Sequence, residues 1–370
     1  MSHKIAYFKD MEKNEWDCYV KQIGEASVAH SWSVLYHYTQ FPNVKEHNSF
    51  VYLGNNNTPL AICPLAITSN VTDNISEISF NGTPVSVPAL GLTRPRARRK
   101  QLNTILDVIQ DIGKKHNVKV IKMVRHAINK ECCLNNYIAS NNLFELQRYD
   151  MLYHVTNTLI IDLNIDEDIL KANLSKVVKR HIKRSEERGV KIKTFNSNNN
   201  ADKLNELFNS YQTAHLTSAG RMTRPQATWD SMYRMILSEE ATLFVAFVGE
   251  TPVSYLYCNE FYSFAIGGSQ VNIKEFEKFY SPRHLLEWTA ILYYKGNGFK
   301  YYEVGERFYG PQLLYIPTEK EISISDFKEF FGGVKLPKVY WIGYCDDSYM
   351  EKDIGYRLDN YFKSKNIMFH

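Results

Sequence analysis

The sequence predicts an α/β protein of the α+β kind, built as two tandem domains, each a mixed twisted sheet flanked by helices. Three observations lead there. A length of 370 residues exceeds one ordinary core and suits two. A Phe-Val…Thr-Pro…Pro-Arg pattern occurs twice: Phe50-Val51, Thr58-Pro59 and Pro95-Arg96, then Phe244-Val245, Thr251-Pro252 and Pro282-Arg283. Around each copy, β-type runs give way to a helical stripe and then to another apolar run. The expected domains are residues 1–160 and 161–370.

Residues 15–23 and 31–40 are expected to form short amphipathic helices rich in aromatic side chains. Residues 50–53 and 59–63 are β-type runs separated by Gly54-Asn-Asn-Asn-Thr58, which signals a hairpin. Residues 77–80 add strand-like sequence. Thr93-Arg-Pro-Arg96 then opens a helix, because proline in a first turn gives up an N–H that has no partner anyway. Leu102, Ile105, Leu106, Ile109 and Ile112 supply its apolar stripe, and residues 118–124 form a buried strand behind it.

The second half repeats the order. Phe244 to Val248 and Val253 to Cys258 flank the turn at Gly249-Glu-Thr-Pro252, and residues 263–266 run to Gly267-Gly268. Ser281-Pro-Arg283 opens a helix carrying Leu285, Leu286, Trp288, Ile291 and Leu292; Gly298 ends it, and residues 301–304 are the strand behind. Between the halves, residues 166–188 are expected to be helical. Leu170, Leu174, Val177, Val178 and Ile182 would be its buried side, and Lys176, Lys179, Arg180, Lys183, Arg184 and Arg188 its basic surface. Gly189 is the expected residue after the helix end, and 196–200 a surface loop.

Composition excludes several classes. The chain is 44% hydrophobic and 14% aromatic, enough for packed cores rather than disorder. A net charge of +4 is too small to draw in nucleic acid by a global field, so local clusters must make that case. No apolar run at the start suggests a signal peptide and none elsewhere would span a bilayer, so a cytoplasmic location is expected. Cys18, Cys63, Cys132, Cys133, Cys258 and Cys345 form no CxxC pair, and reduced core thiols are expected. With the histidines also scattered, no metal site is expected.

Hairpin, strand, helix start and buried strand is the central layout of the GNAT acyltransferase fold, and a tandem of two such halves resembles the FemAB-like family. Three segments carry the resemblance: the basic helix from Leu174 to Val190, Tyr301-Tyr-Glu-Val-Gly305, and Phe327-Lys-Glu-Phe-Phe-Gly-Gly333, which is similar to the family's FKxxFGG segment. It covers nearly the whole chain, by motif in the second half and by architecture in the first. The resemblance implies two GNAT-like domains, an acceptor side in the first and a catalytic, donor side in the second. It also implies transfer of an acyl or aminoacyl group to an amine of a cell-envelope precursor, an amino sugar or a peptide. The donor would be a thioester of coenzyme A or a carrier protein, or an aminoacyl-tRNA, with no tightly bound cofactor. No long polar heptad segment interrupts the second half, so the helical arm of some tRNA-using members is absent. The alternative is a catalytically silent relative that binds tRNA or a nucleotide sugar.

Acyl transfer to nitrogen needs an uncharged amine beside an activated carbonyl and a donor for the developing oxyanion, but no covalent nucleophile. No G-x-S-x-G elbow is present, which fits direct attack. The resemblance associates Lys328 and the backbone of Phe327 with the transferred acyl group; Gly332 and Gly333 would let backbone approach a ligand. Glu303 and Glu306 are candidates to accept the amine proton and Tyr309 to protonate a leaving group. Gly267 and Gly268 would form the opening that admits the acyl arm. Ser281, Arg283 and His284 at a helix start would hold an anionic donor. Arg94, Arg96 and Arg98 would hold a phosphate of the acceptor. The basic helix around Arg180 is a candidate contact for tRNA.

Overall fold

A computed structural model describes residues 4–91, 94–130 and 142–368. The adjacent Cys132 and Cys133, and Thr93 before the first Pro-Arg pair, lie outside the described residues. The chain divides into two compact units. One comprises Met1–Thr156, Tyr309–Thr318 and Pro337–His370, and the other Asn157–Phe308 and Glu319–Leu336. The end of the chain therefore packs with the first unit rather than the second.

The first unit starts with β1 (Lys4–Tyr7), α1 (Lys13–Gln22) and α2 (Trp32–Thr39), followed by the short β2 (Val44–His47). Trp16 of α1 is fully buried and donates its indole N–H to the His30 carbonyl at 2.8 Å, which fixes the helix entry. The expected hairpin is β3 (Phe50–Leu53) with β4 (Pro59–Cys63), paired antiparallel across a turn at Asn55–Asn57. With β1 and β8 (Ala89–Leu90) they make a four-stranded sheet. A second group holds β5 (Ala66–Asn70), β6 (Ile75–Ile78) and β7 (Val85–Ser86). After it, α3 (Pro95–Lys115) begins with its proline in the first turn and leads to β9 (Val118–Arg125). Both β6 and β7 pair with β9 in parallel, as a helical crossover requires. Leu102, Ile105 and Ile109 of α3 are buried, and each is worth about 2–3 kcal/mol of apolar burial.

The second unit includes residues 157–162 of β10 (Leu152–Asp162), then α4 (Glu167–Asn173) and α5 (Lys176–Glu187). The single helix expected over 166–188 is two. Ser175 interrupts it in extended conformation, and its hydroxyl accepts the Val178 N–H at 3.2 Å as an N-cap. This break re-aims the apolar stripe: Leu170, Leu174, Val178 and Ile182 are buried, but Val177 is 40% exposed, contrary to expectation.

Next come β11 (Val190–Phe195), α6 (Ala201–Ala219), α7 (Gln226–Leu237), β12 (Ala241–Val248), β13 (Thr251–Phe261) and β14 (Phe264–Asn272). These four strands run antiparallel in that order. β14 is longer than expected, passing through Gly267-Gly268 to Asn272. Two helices follow, α8 (Lys274–Tyr280) and α9 (Pro282–Gly296), before β15 (Tyr301–Arg307) returns parallel to β14. Leu286, Ile291 and Tyr294 of α9 pack against Phe244 of β12 and Leu256 of β13 in one apolar core. The repeat is thus visible in the backbone: each unit has antiparallel strands, then a helix opened by Pro-Arg, then a parallel strand. The chain continues with α10 (Glu319–Glu329), β16 (Val334–Tyr344) and α11 (Asp347–Met368).

Candidate active site

The site in the second unit is created where two strands part. β14 and β15 pair in parallel only through Phe264–Tyr301, Ala265–Tyr302 and Ile266–Glu303. Beyond them β14 stays with β13, while β15 stays with β10. Both strands carry an irregularity at the parting. Gly268 is an extra residue between the Cys258–Gly267 and Tyr257–Ser269 pairs, and Val304 is extra between Glu303 and Gly305. Glycine suits position 267, because a Cβ there would stand a tight 3.0 Å from the Tyr302 hydroxyl.

Lys328, in the last turn of α10, lies over this opening. Its side chain occupies the space a Cβ at Gly305 would need, and Gly305 has φ +121°, a conformation that favours glycine. The Lys328 charge acts on Glu287 of α9, which is only 4% exposed. The Tyr302 hydroxyl donates to the Glu287 carboxylate at 2.7 Å and stands 3.7 Å from the Cys258 thiol. Burial raises the Glu287 carboxyl to about 7, against the opposing pull of the Tyr302 hydrogen bond and the Lys328 ammonium. Burial also pushes the Tyr302 phenol and the Cys258 thiol well up, so both stay protonated at neutral pH.

The other expected acid–base residues take no part in the Tyr302–Glu287 hydrogen bond. Glu303 follows Tyr302 along β15 and so presents to the opposite face; its buried carboxylate accepts the Thr158 hydroxyl at 2.6 Å. Glu306 is half-buried and faces Thr158 in the β10–β15 register. Tyr309 is 55% exposed and belongs to the first unit. Glu287 and the hydroxyl of Tyr302 were not singled out from sequence. The available signal was a carboxylate at position 287 between Leu286 and Trp288, inside an apolar helical stripe.

Gly332 and Gly333 also differ from expectation. They approach protein backbone rather than open space. A Cβ on Gly332 (φ +82°) would lie 3.1 Å from the Asn173 carbonyl, and one on Gly333 (φ +97°) 2.7 Å from that of Ile160. The Phe330 carbonyl accepts the Ser175 N–H at 3.0 Å, so the FKxxFGG segment is sewn to β10 and to the break between α4 and α5.

Beside Phe327 a cleft of about 500 Å³ is lined by Val177, His181, Ser281, Arg283, His284 and Phe330, among others. The start of α9 is furnished by the protein itself. Ser281 sits at φ +53°, its hydroxyl 3.0 Å from His181 Nδ1, and the His181 and His284 rings stack at 4.3 Å. Burial, with Arg283 and His181 adding to it, lowers His284 to about 3, leaving it neutral. Arg283 lies 4.4 Å over the Phe327 ring and pairs with Glu277 at 2.9 Å. The three expected donor-side residues are therefore gathered on one cleft whose charge is mixed.

In the first unit the arginine cluster splits. Arg94 and Arg96 are exposed at the start of α3. Arg98 is 4% exposed, bound in a fork to Glu145 at 2.9 and 2.7 Å and also to Glu25; Glu145 is shared with Arg125. Its donors are consumed inside the unit, so the expectation that Arg98 holds a ligand phosphate is corrected. The helical period turns it inward, two residues after the exposed Arg96.

Antiparallel strands, a helix opened at Pro-Arg and a returning parallel strand, twice in one chain, with the strands parting at a glycine bulge in the second unit, are the layout of the tandem GNAT fold. No protein-family model matches the chain, and no curated protein matches it by sequence. Solved structures share the fold. FemX aligns over 95% of this chain and 99% of its own, with a TM-score of 0.67 and 12% identity. L-PGS from Bacillus licheniformis aligns over 94% and 96%, with a TM-score of 0.56 and 11% identity. A tandem GNAT protein from the clavulanic acid biosynthesis pathway aligns over 93% and 99%, with a TM-score of 0.52 and 9% identity. Among the described residues no helix is long and apolar enough to cross a membrane.

Proposed function

We propose that the chain is an N-acyltransferase that moves an acyl or aminoacyl group to an amine by direct attack. The observation that carries this reading is Lys328 held across Gly305 where β14 and β15 part. At that opening an acyl carbonyl would meet a cation that does not have to reorganise as charge develops on its oxygen. The amine lone pair attacks the carbonyl carbon and the C–N bond forms. The donor C–S or C–O bond then breaks, and the amine proton passes to a base on the protein.

The donor is an acyl thioester or an aminoacyl-tRNA, entering along the cleft of Ser281, Arg283 and His284. The tandem GNAT neighbour from the clavulanic acid pathway, described in a form without AcCoA, supports the thioester as donor class. The FemAB-like resemblance of the FKxxFGG segment, with FemX among the fold neighbours, supports an amino sugar or peptide of a cell-envelope precursor as acceptor. The first unit is the acceptor side, with Arg94 and Arg96 left to meet an acceptor phosphate. The test is incubation of the protein with mixed acyl-CoA, acyl-carrier thioesters or charged tRNA against amino-sugar and peptide amines, read by intact mass. An acceptor gaining the acyl mass supports the reading, and no transfer from any donor overturns it.

A further inference from the structure

Glu287 is expensive where it stands. A carboxylate taken out of water loses several kcal/mol of solvation unless partners replace it, and one phenol is a thin replacement for a group with about four acceptor sites. Leu286 and Trp288 on either side of it, and Ala290 and Ile291 in the next turn, are apolar and buried, while Arg283 one turn earlier pairs with Glu277. Its surroundings share one direction. Tyr302 from β15 holds one oxygen, Cys258 from β13 stands behind Tyr302, and the Lys328 charge reaches it from α10. On α9 itself His284 turns instead towards His181 and Phe327. The Tyr302 hydroxyl that binds Glu287 is the atom that a Cβ on Gly267 would crowd at 3.0 Å. The buried Tyr302 hydroxyl thus stands between Gly267, at the strand opening, and a buried carboxylate on which the Lys328 charge acts.

Resting on the acyl-transfer reading above, we propose that Glu287, acting through the Tyr302 hydroxyl, receives the proton that the attacking amine gives up, and that Lys328 governs how readily it does so. As C–N bonding proceeds, the nitrogen proton passes to the Tyr302 oxygen while the phenol proton passes to Glu287. The phenol ends neutral, and the proton is returned by the same path to the departing sulfur or oxygen. Tyr302 never has to ionise, which its burial forbids. One lysine would then serve two ends, stabilising the oxyanion and keeping Glu287 ionised enough to act as a base near neutrality.

The experiment is the pH dependence of kcat/KM for acyl transfer in the full chain and its variants. The wild-type enzyme should show an acidic limb near pH 7. Glu287→Gln should lose that limb and on the order of 10²–10⁴-fold in rate. Tyr302→Phe keeps the carboxylate and breaks the path, and should lose rate comparably with KM little changed. In Lys328→Met the limb of the residual activity should move to higher pH, because the cation favouring the carboxylate is gone. A limb unchanged in Glu287→Gln, or unmoved in Lys328→Met, overturns the proposal; if Glu287→Gln does not fold, a near-normal rate in Tyr302→Phe overturns it. If the wild-type protein transfers nothing, the function fails first. The carboxyl is then followed by infrared difference against Glu287→Gln. A protonated carboxyl band lost around pH 7, and at higher pH in Lys328→Met, upholds the Lys328–Glu287 coupling; no such shift ends it.

Discussion

The side chain of Lys328 lies in the space that a side chain on Gly305 would fill. Placing the cation and leaving position 305 bare are therefore one requirement. Gly305→Ala should cost about 1–3 kcal/mol from the positive φ alone, and should also displace the lysine. Denaturant unfolding and turnover, measured together, should show both losses. An alanine variant of full activity would mean that Lys328 tolerates displacement and does not act from this position.

Lys328→Ala removes a cation from the strand opening without emptying a core. Turnover is expected to fall on the order of 10²–10³-fold, as for loss of one oxyanion donor, while circular dichroism and Tm stay close to wild type. Single-turnover kinetics with the best donor would check it.

Glu287 makes stability depend on pH with a definite sign. Its folded value of about 7 is above the 4.5 of an ordinary glutamate. The folded state therefore holds a proton that the unfolded state has released. The associated stability is present below pH 4.5 and is lost as pH rises through 7, a difference of about 3 kcal/mol at 1.4 kcal/mol per unit. Urea titrations from pH 5 to 8 should show this decline in the wild-type protein, and a flatter one in Glu287→Gln.

Arg98 and Arg96 should respond oppositely to the same change. Arg98→Met leaves Glu25 without its guanidinium and Glu145 with Arg125 alone, and should cost about 3 kcal/mol. Arg96→Met should leave stability within about 0.5 kcal/mol, as exposed substitutions do. Any loss of acceptor affinity on salt titration would then belong to Arg96 and Arg94.

The architecture was legible because it rests on local chemistry. Asparagines and Gly54 mark the hairpin, Pro95 and Pro282 mark helix starts, and the stripe of Leu102, Ile105 and Ile109 marks a buried face. Two features escaped because they depend on long-range register. Ser175 looked helical until its hydroxyl found Val178, and the break it makes put Val177 at the surface. Arg98 looked like one member of a basic turn because its partners, Glu25 and Glu145, are remote in sequence. Around the strand opening, the sequence marks Lys328 by a motif, Gly267 by a strand end and Ser281 by a helix start. Glu287 carries no such mark, since a lone acid in an apolar stripe shows its purpose only when Tyr302 and Lys328 are folded against it.

The stitching of Gly333 to Ile160 and of Phe330 to Ser175 also has a temporal side. β10 opens the second unit's sequence, and the FKxxFGG segment closes it. During synthesis the lysine therefore cannot reach its post until nearly all of that unit has left the ribosome and its two ends have met. Closing so long a loop is slow compared with local helix formation. A nascent or truncated chain would carry folded helices and hairpins while chemically silent, and would become competent in a single late step.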